Sequence, residues 1–126
     1  MLAVVGGYFL LRDSSLRPGE AYDRYFTVYD APANFRSDSA GIQALYTEAF
    51  AAYNRQEWEV AIMVFTRLAN ADSNQVTARF YAAVSLLANG EPARAIDAFQ
   101  KIAATQNPFT TQSKWYLALA WLRQGD

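Results

Sequence analysis

Ten residues near the middle of the chain come back. Gln56 to Phe65, reading Gln-Glu-Trp-Glu-Val-Ala-Ile-Met-Val-Phe, returns from Gly90 to Phe99 as Gly-Glu-Pro-Ala-Arg-Ala-Ile-Asp-Ala-Phe. Ala61 pairs with Ala95, Ile62 with Ile96, Phe65 with Phe99, Leu68 with Ile102 and Ala69 with Ala103, each 34 residues apart. A fixed period of this length marks stacked supersecondary units, each of which needs a neighbour to bury its apolar face.

Inside one unit the spacing is helical. Trp58, Ala61, Ile62, Phe65, Leu68 and Ala69 fall at i, i+3, i+4, i+7, i+10 and i+11, one stripe of a 3.6-residue period. Upstream, Leu45, Ala49, Ala52 and Tyr53 form a second stripe. Between the stripes lies Asn-Arg-Gln-Glu, polar and long enough only for a tight turn. The second copy turns at Asn89-Gly90-Glu91. Gly90 suits the left-handed position that ends a helix, and Pro92 suits the first turn of the next. The spacing predicts helices at roughly 40–54, 57–70, 75–88, 92–105 and 111–124, with Asp38 or Ser39 capping the first.

From Ile42 to Asp126 the chain resembles the tetratricopeptide repeat. Ala49 and Ala83 match the family's small residue in the middle of the first helix. Gly90 and Gly125 match the turn glycine, Trp58 the aromatic that opens the second helix, and Pro108 the proline between repeats. Ala61 and Ala95, then Phe65 and Phe99, match the close-approach alanine and the gap-filling aromatic. Gln56 stands in the place of the first turn glycine and Pro92 in that of the second aromatic. The third copy is offset by 35 residues, measured from Gly90 to Gly125. The resemblance implies an all-α, right-handed solenoid of helical hairpins, with two full repeats and the first helix of a third. Its units are about 42–75, 76–109 and 110–126, within a domain of 39–126.

The resemblance further implies a non-catalytic protein-interaction scaffold, with the first helix of each hairpin lining a concave face. By position that face takes Tyr46, Phe50, Tyr53 and Asn54 from the first copy, Phe80, Val84 and Leu87 from the second, and Trp115, Leu119 and Arg123 from the third. Two readings of this row stay open, a groove for an extended peptide or helix, and core. The basic clamp that holds a peptide carboxylate in some family members is absent, because Tyr46 and Phe50 occupy the positions of its Lys and Asn.

Composition narrows the chemistry. The chain of 126 residues has 11 basic and 12 acidic side chains, net charge −1, which argues against a nucleic-acid partner. It has no Cys and no His, so thiol nucleophiles, thiolate metal sites and the commonest general base are missing. Glu57 and Glu59 are two apart and do not face each other on a helix, while Asp23, Glu48 and Asp97 are scattered. No Gly-rich phosphate loop, Gly-x-Ser-x-Gly elbow or His-Glu-x-x-His motif occurs. The expectation is a protein or peptide partner, with no enzyme activity, cofactor or metal.

The first 38 residues lie outside the repeat. Met1 to Leu11 carries no charge before Arg12, and at eleven residues is too short to cross a bilayer, which needs about 20. Three readings stand: the exit end of a membrane anchor, an apolar piece packed on the domain, or a disordered start. Tyr8 near the polar boundary and Arg12 at it favour the first. Family members with an N-terminal anchor occur in bacterial envelopes, so the resemblance implies the cell envelope as location. Residues 12–16 then read as linker.

Pro18 is expected to open a short helix to about Tyr29, with Tyr22, Tyr25, Phe26 and Tyr29 on one face. That face needs cover, and the first hairpin is the expected acceptor. Ala33 to Arg36 should be extended. At the other end, Trp115, Tyr116, Leu117, Leu119, Trp121 and Leu122 are spread around more than one face of the last helix. Part of that apolar surface should meet water and favour self-association. A structural subunit that assembles through its repeat ends is the alternative to the binding scaffold.

Overall fold

The computed structural model describes residues 17–71 and 75–125. These form six helices: α1 (Pro18–Tyr25), α2 (Ala40–Asn54), α3 (Trp58–Ala71), α4 (Val76–Ala88), α5 (Pro92–Ala103) and α6 (Thr110–Gln124). Among the described residues there is no strand, so the fold is all-α. The apolar run of residues 1–11 and the linker of 12–16 lie outside the described residues. Among those described, no helix is long and apolar enough to cross a membrane.

Local chemistry explains the helix ends. Ser39 caps α2 by accepting the Ile42 N–H at 3.3 Å. The turn after α2 places Gln56 at φ 61°, and the turn after α4 places Gly90 at φ 79°. Both turns therefore close through a left-handed residue, although only one of the two is glycine. Pro92 opens α5. Asn107 then ends the run, its side-chain amide donating to the Ile102 and Thr105 carbonyls at 2.9 and 3.0 Å.

From α2 onwards each helix packs on the next, and α4 also touches α6. One continuous core results. Phe65 and Phe99 are both 0 % exposed, as are the alanines Ala49, Ala61, Ala83 and Ala95 at the close approaches. Phe65 lies against Phe50 with ring centroids 5.2 Å apart, and Phe99 stacks on Tyr116 at 5.7 Å. Surface ion pairs, such as Lys101 with Asp97 and Arg94 with Glu91, join residues within one turn of a helix and contribute little.

The first helix departs from expectation twice. It ends at Tyr25, not near Tyr29, and Phe26 already has extended geometry at ψ 125°. Beyond it the carbonyls of Thr27, Tyr29 and Asp30 accept hydrogen bonds from distant side chains, which favour the non-helical path. Its packing is also different: α1 lies on α6, at the far end from the first helix pair. Tyr22 is buried there, its hydroxyl 3.4 Å from the Leu87 carbonyl and the Arg123 guanidinium 5.7 Å from its ring.

This contact also answers the question of the last helix. Tyr116 and Leu119 are buried, and Trp115, Leu117 and Leu122 are half-buried. Trp121 remains 51 % exposed. The chain thus covers part of α6 with its own α1.

Candidate functional site

Residues 26–32 leave α1 without regular structure, Ala33 and Asn34 then form a turn where an extended stretch was expected, and the chain meets α2 through the bend at Asp38 and Ser39. The segment runs across helices α2, α4 and α6. Each of those helices sends one buried tyrosine to it. Tyr116 of α6 donates its hydroxyl to the Thr27 carbonyl at 2.5 Å. Tyr53 of α2 donates to Tyr29 at 2.6 Å, and Tyr81 of α4 to Asp30 at 2.7 Å. At the far end Gln43 donates its amide to the Phe35 carbonyl at 3.0 Å and accepts the Ser37 N–H at 2.7 Å.

Two aromatic side chains anchor the segment. The Tyr29 ring meets Phe80 edge-on at 5.1 Å, and also lies near Tyr81, Phe109 and Tyr116. The Phe35 ring sits 4.0 Å from Tyr46 and 5.8 Å from Phe50. Edge-to-face arrangements of this kind add to the energy of simple burial.

Burial sets the electrostatics. It raises the Tyr22 phenol to about 12, against an ordinary 10.0, with Arg123 opposing. Burial also raises Tyr53, Tyr81 and Tyr116, and nearby phenols and Asp30 push in the same direction. At neutral pH these groups are protonated donors. They can hold a peptide carbonyl, but they are poor bases and poor nucleophiles. Among the described residues no cluster of carboxylates could hold a metal ion.

Open space adjoins the segment in two places. A cavity of about 790 Å³ is bounded by Thr27 to Pro32 together with Thr77, Tyr81, Phe109 and Tyr116. A second, of about 310 Å³, is bounded by Pro32 to Arg36 with Gln43, Thr47, Phe50 and Asn54.

The ten residues expected on this face separate into three groups. Tyr46, Phe50, Tyr53, Phe80, Val84, Leu87 and Leu119 are buried in the single core cluster. Trp115 is half-buried against that cluster, and Asn54 and Arg123 are exposed. Asn54 lines the 310 Å³ cavity, whereas Arg123 is drawn to the Tyr22 ring. The row is therefore not free surface, because the chain's own residues 26–36 and α1 lie on it. The expectation that α1 covers the first helix pair is corrected accordingly. Of its four aromatics, Tyr22 and Phe26 meet α6, Tyr29 reaches the middle of the face and Tyr25 lies beside Arg24, while the ring that covers Tyr46 and Phe50 of the first pair is Phe35, beyond them.

Tyr81 and Tyr116 are missing from those ten. The signal for them was present, since they stand 35 residues apart, the same offset as Gly90 and Gly125. From the sequence alone Tyr81 does not stand out, and Tyr116 is only one of the apolar residues of the last helix; the structure buries both rings and turns both hydroxyls to the segment. Comparison of the chain with known protein families, with curated proteins and with solved structures finds no match.

Proposed function

We propose that the chain is a non-catalytic protein-interaction scaffold of the tetratricopeptide type, two helical hairpins and the first helix of a third in a right-handed solenoid. The 34-residue period supports this reading, as do the equivalent left-handed turns at Gln56 and Gly90 and the buried pair Phe65 and Phe99. One observation carries the function. Tyr53, Tyr81 and Tyr116, from three different helices, each hold a main-chain carbonyl of one extended stretch. A face that grips extended backbone in this way is suited to a peptide partner.

The test is a display library of random twelve-residue peptides against the whole chain, with calorimetry on the selected sequences. Peptides that bind, and bind more weakly to the Tyr81→Phe variant, support the reading. A library from which nothing binds removes it.

Tethering to a membrane of the cell envelope through residues 1–11 belongs to the same proposal. Flotation of the chain with lipid vesicles tests it, and a chain that stays at the bottom of the gradient sinks it. The half-exposed Trp121 favours a second reading, a structural subunit that self-assembles through α6. A sedimentation coefficient that rises with concentration in the wild type, and not in Trp121→Ser, would support that alternative.

A further inference from the structure

The hydrogen bonds of residues 27–36 are one-sided. Four of their carbonyls, those of Thr27, Tyr29, Asp30 and Phe35, accept from side chains of the helices. Among the described residues, no helix accepts a hydrogen bond from their backbone N–H groups, and no ion pair holds them. A carbonyl is the one acceptor that every peptide repeats at every residue. The helices thus hold this stretch by a group it shares with any other extended chain. Its individuality comes mainly from two rings, Tyr29 and Phe35, six residues apart, with the smaller Val28 and Ala31 also packed against the core. Open space of about 790 Å³ and about 310 Å³ adjoins the segment, so it is not packed on all sides.

Resting on the peptide-scaffold reading, we propose that residues 27–36 are a displaceable internal ligand. The external partner is a peptide with two aromatic side chains six residues apart, extended around the first of them, where it takes the hydroxyls of Tyr53, Tyr81 and Tyr116 when the internal segment leaves. The tethered segment competes at an effective concentration on the order of millimolar. A free peptide therefore meets a site that is mostly occupied, and its apparent affinity falls in proportion to the fraction of open molecules. Loosening the internal copy should restore affinity without adding any new contact.

The probe is a fluorescent synthetic peptide with the chain's own residues 26–36, Phe-Thr-Val-Tyr-Asp-Ala-Pro-Ala-Asn-Phe-Arg. Its control replaces the Tyr and the second Phe by Ala. Fluorescence anisotropy is measured on the full chain, wild type and Tyr29→Ala. The expected result is at least about tenfold tighter binding to Tyr29→Ala, with no binding of the control. A Tyr29→Ala chain that keeps its helical circular dichroism and binds no tighter than wild type overturns the proposal. Equal binding of the control peptide does the same.

Phe35→Leu is the milder second variant if Tyr29→Ala unfolds. Loss of fold in both would make the segment an obligatory strut and overturn the idea. Dimerisation of Tyr29→Ala in place of peptide binding would assign the face to a second copy and overturn it as well. Library peptides that bind wild type without competing with this probe would leave the scaffold reading intact while this inference fails.

Discussion

The helix pairs α2–α3 and α4–α5 follow one spacing but are finished differently. Both place an alanine and a phenylalanine at the same steps, and both phenylalanines are fully buried. Both turn through a left-handed residue, yet the first uses Gln56 and the second Gly90. The position that is Thr47 in the first pair is Tyr81 in the second. Thr47 is exposed and donates to the Gln43 carbonyl of its own helix, whereas Tyr81 is buried and reaches across the face to Asp30. Tyr46 and its equivalent Phe80 are each covered by a ring, but Phe35 supplies the first and Phe109 the second. The shared residues determine how helices pack. The unshared ones determine what lies on the face of α2, α4 and α6.

The largest expected effect tests what both pairs have in common. In the folded chain Tyr22, Tyr53, Tyr81 and Tyr116 all hold their protons more tightly than an ordinary phenol. Below about pH 10 both folded and unfolded chains keep these protons and stability is unaffected. Above it the unfolded chain releases them first, so stability falls as pH rises and is lost through the Tyr22 value of about 12. The share of the 295 nm absorbance change that comes from these four of the chain's eight tyrosines should therefore appear together with the loss of helical circular dichroism. Ionisation of more than four phenols before the loss of helix would show these tyrosines to be accessible.

Next comes the core. Phe65→Ala and Phe99→Ala should each cost about 3–5 kcal/mol in denaturant unfolding. Equal losses would make the two pairs equivalent in packing. A loss below about 1 kcal/mol in either would break the correspondence of the two.

The turns give a smaller effect of opposite sign. Gly90→Ala should cost about 1–2 kcal/mol, because a left-handed residue then carries a side chain while no atom lies within 4 Å to oppose it sterically. Gln56→Gly should raise stability by about 1 kcal/mol or less, since relief of strain is partly offset by the flexible unfolded chain. A loss on Gln56→Gly would mean that the Gln56 side chain holds the turn by contacts that outweigh its backbone strain.

The smallest contrast separates Tyr81 from Thr47. Tyr81→Phe keeps the ring and removes the bond to Asp30, at about 0.5–1.5 kcal/mol. Thr47→Ala removes only a bond within one turn and should change stability by less than about 0.5 kcal/mol. Equal values would remove the asymmetry between the two pairs.

The sequence made the helices legible because local rules govern them. The apolar spacing, the Ser39 cap, and the Gly90-Glu91-Pro92 turn all act within a few residues. The all-α class and bounds such as Ala40–Asn54 follow from them. The path of residues 26–36 was not legible. It has no period, and its partners are 24, 51 and 89 residues away. The row from Tyr46 to Leu119 was readable as apolar, but whether it is covered depends on that path. Tyr25 shows the limit well. Its spacing matches Tyr22 and Phe26, yet the helix ends there, and the path beyond it is fixed by tyrosines that no local pattern identifies.

The contact between Tyr116 and Thr27 also has a kinetic side. A stack of helices in which each touches only its neighbours can form from any point and fray from either end. Here α1 lies on α6 while the segment that follows it crosses to α2, so the beginning and end of the described chain are joined. Neither end can then open without disturbing the other. Fraying gives way to a single all-or-none transition. Closing a loop of this length is slow compared with forming neighbouring helices. During synthesis the helices can assemble one after another, but the crossing segment has no complete seat until α6 has emerged. Until then its aromatic residues are free to meet other chains.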